Sequence, residues 1–322
     1  MQGTHFHNRK AVQLQNDVLE AIFTLEGGHL ASLRRHDVDL NPLWVPPWPS
    51  IEPSQYDPAK HAEYGGHTES RLLAGILGHN LCLDIFGPPS EEEAAAGLDV
   101  HGEAPVARYE AHQVDVLSLR LVAELPEAGL RFEREVRMQP RSPVLLFEEK
   151  VTNLRGTDRP VAWTEHVTLG PPFLERGATR IQTRGTRSKV YEGLFAGEHS
   201  RLTPGAEFDW PQAPLRHGGT EDLSVFTSLP VSGEFTATLM DPESEHAFFA
   251  AFSPRHKLAL IYIWFQKDFP GWAAGKRTTR GGNHRGTGVR WLSAWSSAPR
   301  LSLKPGAGKS SAAICSGCQF SV

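Results

Sequence analysis

Up to about position 268 the chain alternates apolar and polar residues with a period of two, the pattern of strands buried on one side only. "VLEAIFTLE" (Val18–Glu26) alternates and then meets Gly27-Gly28 before "HLASLRR", which predicts a hairpin. "VDVLSLRLVAEL" (Val114–Leu125) alternates over more than one strand length. "LRFEREVRMQ" (Leu130–Gln139) sets charges against apolar residues at a period near two, and "PVLLFEEKVTN" (Pro143–Asn153) follows a turn-like Arg-Ser-Pro. "FTATLMD" (Phe235–Asp241), "AFFAAFS" (Ala247–Ser253) and "LALIYIWFQ" (Leu258–Gln266) continue the series. Turn signals roughly every ten to twelve residues make these one-side-buried antiparallel strands. The best helix candidate is "SEEEAAAG" (Ser90–Gly97), with Ser90 as N-cap and acids in its first turn. The proline-rich "NPLWVPPWPSIEPSQYDP" (Asn41–Pro58) cannot be a central strand and predicts a long, tryptophan-rich surface loop. With no repeat or linker in residues 1–268, the expected architecture is all-β, a large antiparallel β-sandwich.

Composition narrows the class. With 322 residues, 39% hydrophobic and 22% charged, the chain has the make-up of a soluble globular protein. No apolar run reaches the roughly 18 residues of a membrane helix, and "MQGTHFHNRK" lacks the apolar core of a secretory signal. Three cysteines (Cys82, Cys315 and Cys318) cannot supply a disulfide framework, which predicts a reducing compartment, the cytoplasm. A net charge of −4 favours neither nucleic acid nor an anionic membrane as partner.

Three stretches carry candidate chemistry. "LDVHGEAPVARYE" (Leu98–Glu110) places His101 directly before a glycine, which lets a backbone or a ligand approach closely; a plain loop histidine is the competing reading. "GHNLCLD" (Gly78–Asp84) gathers His79, Asn80 and Asp84, with His79 and Cys82 on opposite faces at period two; a polar rim beside a buried Cys82 is the alternative. In "WTEHVTL", alternation puts Glu165 and Val167 on one face, and His166 and Thr168 on the other. The Gly-Pro-Pro that follows ends the strand, so His166 is expected to face a cleft. Trp210, Tyr262 and Trp264 are either core aromatics or stacking faces for a ring. Fifteen histidines invite a metal reading, but the one His-x-His pair, His5 and His7, lies at the N-terminus, and no metal or other cofactor is expected.

Together the three stretches resemble the aldose 1-epimerase (galactose mutarotase-like) superfamily, as a divergent bacterial branch. "VLEAIFTLEGGHLASL" is similar to its opening hairpin, "HGEAPVARY" to its His-Gly motif and "WTEHVTLGPPFLE" to its second-histidine motif, over residues 10 to 270. The resemblance implies a supersandwich that interconverts the α and β anomers of a free or phosphorylated aldose without cofactor; the alternative is a non-catalytic sugar binder of the same fold. It implies His166 as the acid that protonates the ring oxygen and His101 as a hydrogen-bonding partner of that oxygen or a neighbouring hydroxyl. His79 and Asn80 stand where the family has an arginine. Arg108, Glu165, Asp241 and Trp264 complete the implied sugar-binding set.

The end of the chain departs from this pattern. All 37 acidic residues lie at or before Asp268, so residues 1–268 carry 25 Lys or Arg against 37 acids, while residues 269–322 carry eight Lys or Arg and no acid. At the upstream frequency about seven acids would be expected there. The family's general base, a late glutamate, is missing from "GVRWLSAWSSAPR" (Gly288–Arg300). Read two bases later, codons for Gly271–Lys276 can encode Leu-Gly-Gly-Trp-Glu, as the family pattern would have it. The expected organisation is therefore a sandwich domain over 1–270 and an atypical basic tail over 271–322, produced by a shift of reading frame near Pro270. Within that tail "KPGAGKSS" lacks the first glycine of a phosphate-binding loop, and a single "CSGC" is half a zinc site.

Overall fold

A computed structural model of the protein describes residues 2–66, 68–156, 159–161, 163–194, 197–227, 235–241, 243–265, 301–303 and 309–316. In chain order the strands begin with β1 (Gln2–Phe6), β2 (Arg9–Gln15), β3 (Leu19–Thr24), β4 (Leu30–Arg35) and, after the proline-rich loop, β5 (His79–Leu83). Next come β6 (Glu110–Asp115), β7 (Ser118–Leu125), β8 (Leu130–Met138), β9 (Val144–Asn153), β10 (Arg159–Val161) and β11 (Trp163–Val167). Then follow β12 (Arg180–Thr183), β13 (Gly185–Val190), β14 (Glu207–Asp209), β15 (Gln212–Pro214), β16 (Thr220–Asp222), β17 (Thr236–Met240), β18 (His246–Ser253) and β19 (Leu258–Phe265). β20 (Leu301–Leu303) and β21 (Lys309–Ser316) complete the set. The two helices among the described residues are short, α1 (Ser70–Gly75) and α2 (Glu91–Ala95).

Two antiparallel sheets face each other. The first has the order β1-β2-β3-β4-β5-β11, and the second β12-β18-β19-β21-β9-β8-β7-β6. Alternation decides what lies between them: Leu130, Phe132, Val136 and Met138 of β8 are buried in step, as are Leu145, Phe147 and Val151 of β9. They meet Leu14, Phe23, Leu30 and Leu81 of the first sheet in one continuous core. Each fully buried Leu or Phe side chain contributes about 1.5–3 kcal/mol.

The expected elements are present with small shifts of boundary. The Val18–Glu26 segment forms β3 and turns at Gly27 and Gly28, whose positive φ values of 77° and 59° suit glycine. α2 carries a capping box between Ser90 and Glu93. The segment between β4 and β5 holds two single-turn 3₁₀ segments, Pro53–Gln55 and Ala62–Tyr64, followed by α1. It is tied down by Arg9 of β2, whose guanidinium is fully buried, pairs with Glu52 at 2.8 Å and also donates to the carbonyls of Glu26 and Gly75.

Lys309–Ser316 lies between β9 and β19 in the second sheet, and residues 271–300, where the basic tail begins, lie outside the described residues.

The Arg9–Glu52 pair yields a first prediction. Arg9→Met leaves the Glu52 carboxylate buried without its cation, which costs about 3–5 kcal/mol. Urea unfolding followed by circular dichroism should show the midpoint fall accordingly; an unchanged midpoint would mean that the loop is held by other contacts.

Candidate functional site

The site is built on one pair of strands. Among the described residues β11 is an end strand of the first sheet and pairs antiparallel with β5, with His166 opposite Asn80, Val167 opposite His79 and Glu165 opposite Leu81. Because successive side chains point to opposite faces, this short ladder carries two separate constellations.

On the face turned away from the sandwich interior, the Asn80 amide donates from Nδ2 to His166 Nδ1 at 3.2 Å. The Cys82 thiol approaches Asn80 Oδ1 at 3.7 Å, so the amide is held from both ends. His101 joins from the loop before β6. Its backbone has φ +69° and the next residue, Gly102, +78°. A Cβ on Gly102 would lie 2.4 Å from the carbonyl oxygen of Leu83, so glycine is what lets this turn rest on the end of β5. The Gly87 N–H donates to His101 Nδ1 at 3.1 Å. The two imidazoles stand with ring centroids 5.3 Å apart, and Phe86 sits 4.9 Å from His101 and 6.1 Å from His166. All three rings are partly exposed.

Burial disfavours the charged form of both imidazoles. It lowers His166 to about 4, with a smaller push from His79, and His101 to about 3, with a smaller push from His166. Both are therefore neutral near pH 7. Since Nδ1 of each accepts a hydrogen bond, each carries its proton on Nε2. Two neutral N–H donors beside an aromatic ring suit the oxygens and the apolar face of a polyhydroxylated ring.

The opposite face looks into the sandwich. Glu165 accepts from Arg134 Nη2 at 2.8 Å, from His79 Nε2 at 2.7 Å and from Trp163 Nε1 at 3.0 Å. Arg134, on β8, also pairs with Glu149 of β9 and lies over the rings of Phe147 and Phe132, 4.9 and 5.4 Å from their centroids. The Tyr262 hydroxyl of β19 reaches His79 Nδ1 at 3.5 Å. Burial works against the Arg134 charge, yet the two carboxylates outweigh it and hold the guanidinium above its ordinary pKa. Burial raises Glu149 to about 8 against the pull of Arg134, helped by the Glu165 charge and a hydrogen bond shared with it. His79, lowered by burial and then by Arg134 to about 3, is neutral near pH 7.

No family model matches the sequence, and no curated protein matches it. Solved structures do. A candidate aldose 1-epimerase from Klebsiella pneumoniae superposes with a TM-score of 0.64 at 13% identity, over 97% of this chain and 80% of that one. A galactose mutarotase related enzyme from Lactobacillus acidophilus gives 0.53 at 10% identity, over 96% of this chain and 98% of that one. A candidate mutarotase, YeaD, from Salmonella typhimurium gives 0.54 at 11% identity, over 98% and 92%. The chain has the galactose mutarotase-like fold.

On this mutarotase-like scaffold the sequence-predicted residues separate into groups. His166, His101 and Asn80 come together on one face. His79 and Glu165 also meet, but on the interior face, where Glu165 is turned away from His166 and occupied by three internal donors. They are separated from His166 and Asn80 because neighbours on a strand point to opposite sides. Trp264 is 5% exposed in the core. Arg108 is exposed and bridges Glu26 through its backbone. Asp241 lies in the turn after β17, where its N–H donates to the Arg184 carbonyl and its carboxylate accepts the Glu243 N–H. Among the described residues no group of three or more His, Cys, Asp or Glu is arranged to hold a metal, and no helix is long and apolar enough to cross a membrane.

Sequence reading missed Phe86, Arg134 and Glu149. The last two did leave a signal: Arg134 is in phase with Phe132 and Val136, and Glu149 with Phe147 and Val151. A charge at the period of the apolar face marks a buried ion.

The imidazoles set a pH dependence. Unfolded histidines take up protons as pH falls through 6.5, whereas His79, His101 and His166 resist until about 3, 3 and 4. The unfolded chain binds more protons across that window, so these groups contribute stability that is lost as pH falls from 6.5 towards 4. Glu149 acts in the other direction, its contribution being lost as pH rises from 4.5 through about 8. His101→Gln should remove one proton from the acid-side slope, about 1.4 kcal/mol per pH unit. Urea unfolding between pH 6.5 and 4.5 checks this; a slope equal to that of the wild type would mean that His101 titrates alike in both states.

Proposed function

We propose that the protein binds a free or phosphorylated aldose at His101, His166, Asn80 and Phe86 and interconverts its anomers by acid–base ring opening. The observation that carries this reading is the pair of neutral, Nε2-protonated imidazoles side by side with an aromatic ring at a partly open face. In the reaction a base removes the proton of the anomeric hydroxyl while the bond from the anomeric carbon to the ring oxygen breaks. The ring oxygen takes a proton, and the open aldehyde recloses on either face.

His166 is the proposed donor to the ring oxygen, with His101 binding that oxygen or its neighbour. As a neutral imidazole His166 binds through N–H; full proton transfer requires the imidazolium, which a carboxylate close to the site would favour. The late glutamate that the resemblance implies would fall within residues 288–300, outside the described residues. We propose that the acid-free stretch there reflects the shifted reading frame. In that case the chain as it stands binds the sugar, and anomerisation belongs to the form that carries the glutamate.

Polarimetry of α-glucose and α-galactose, with glucose 6-phosphate as the phosphorylated probe, tests the reading. The chain and a version with its frame restored after Pro270 are compared. Restoration is expected to bring catalysed anomerisation, and His166→Gln in the restored protein to lower kcat by roughly 100- to 10,000-fold. Binding without anomerisation in both forms would assign the non-catalytic role, and neither binding nor turnover would remove the sugar reading.

A further inference from the structure

Among the described residues β11 is an end strand, pairing with β5 over five residues. Just beyond it Thr168 donates to the Gly78 carbonyl and accepts from the Trp44 N–H, and within the strand side-chain ties across the pair add to this short ladder. Two such ties exist at the same level of the ladder. Asn80 to His166 lies on the site face at 3.2 Å, and His79 to Glu165 on the interior face at 2.7 Å. The interior tie is anchored further, since Glu165 also accepts from Arg134, which β8 and β9 hold through Phe132, Phe147 and Glu149. Arg134 is only 1% exposed and Glu149 2%. A buried ionic group of this kind is commonly matched or exceeded in stability by apolar residues of the same volume, so stability alone does not account for it.

We infer that Glu165 and His79 are positioning residues: their cross-strand hydrogen bond, clamped by Arg134, holds β11 on β5 so that Asn80 meets Nδ1 of His166 and fixes the imidazole in its Nε2–H form. The inference rests on His166 being a site residue, as proposed above, but its first test does not depend on turnover. Without the tie, β11 is free to shift against β5, the Asn80 contact lengthens and the His166 ring samples both tautomers.

Ring ¹⁵N NMR of His166 reads this directly in the full chain, with single variants Glu165→Gln and His79→Gln compared with wild type. The wild type should show one tautomer, with Nδ1 as acceptor and Nε2 protonated. Both variants are expected to move the two ring nitrogens towards averaged shifts while melting as cooperatively folded proteins. Arg9→Met, which loses stability at a distant ion pair, serves as the control and should leave the His166 signals in place. Unmoved His166 signals in both Glu165→Gln and His79→Gln would overturn the inference, as would an equal shift in Arg9→Met, which would make the effect one of general loosening. In an anomerising form, Glu165→Gln should lower kcat roughly 10- to 100-fold with little change in KM, since it displaces the donor without removing a substrate contact. A protein that shows no anomerisation leaves the NMR result standing. An anomerising protein with unmoved His166 signals removes only this inference.

Discussion

A guanidinium sealed inside a β-sandwich imposes a condition on everything around it. Arg134 has to remain charged, because arginine does not release its proton in proteins, and a lone charge in that environment would cost several kcal/mol or more. The second sheet answers with Glu149 and the first with Glu165, so the full set of partners is assembled when the two sheets face each other in one register. The two aromatic faces supplied by Phe132 and Phe147 complete the cage. What holds the layers together here is thus a specific fit in addition to apolar area.

The same fit sets the stage for chemistry one atom layer away. Glu165 and His79 are the strand neighbours of His166 and Asn80, so the interior arrangement fixes the backbone from which the imidazole projects. His101 arrives by a different route, on a turn that exists because Gly102 can lie against Leu83. Two parts of the chain 65 residues apart therefore present matched rings, each with one nitrogen already committed.

The strands of this fold were most legible where one side is buried and the other wet: β7, β8 and β9 alternate as such strands must. β5 escaped that logic, since all five of its residues are buried. α1 has no side-chain cap and only six residues, so nothing local announces it. At the site, alternation correctly put Glu165 and His166 on opposite faces but could not say which face was the interior. That depends on the pairing of β11 with β5, more than eighty positions back, and on the buried partners that Glu165 finds there. Likewise no local pattern relates Phe86 to His101; their contact follows from how the turn at Gly102 folds back.

The alternation along β11 also bears on how such a protein could change over time. Substitutions on the site face and on the interior face meet different neighbours, although the tie of Glu165 to His79 couples the second face to the first. A single inserted or deleted residue ahead of Trp163 would exchange the faces, presenting a carboxylate to the outside and pressing an imidazole into the place opposite Arg134. Drift by point changes is open to this strand, and drift in length is closed.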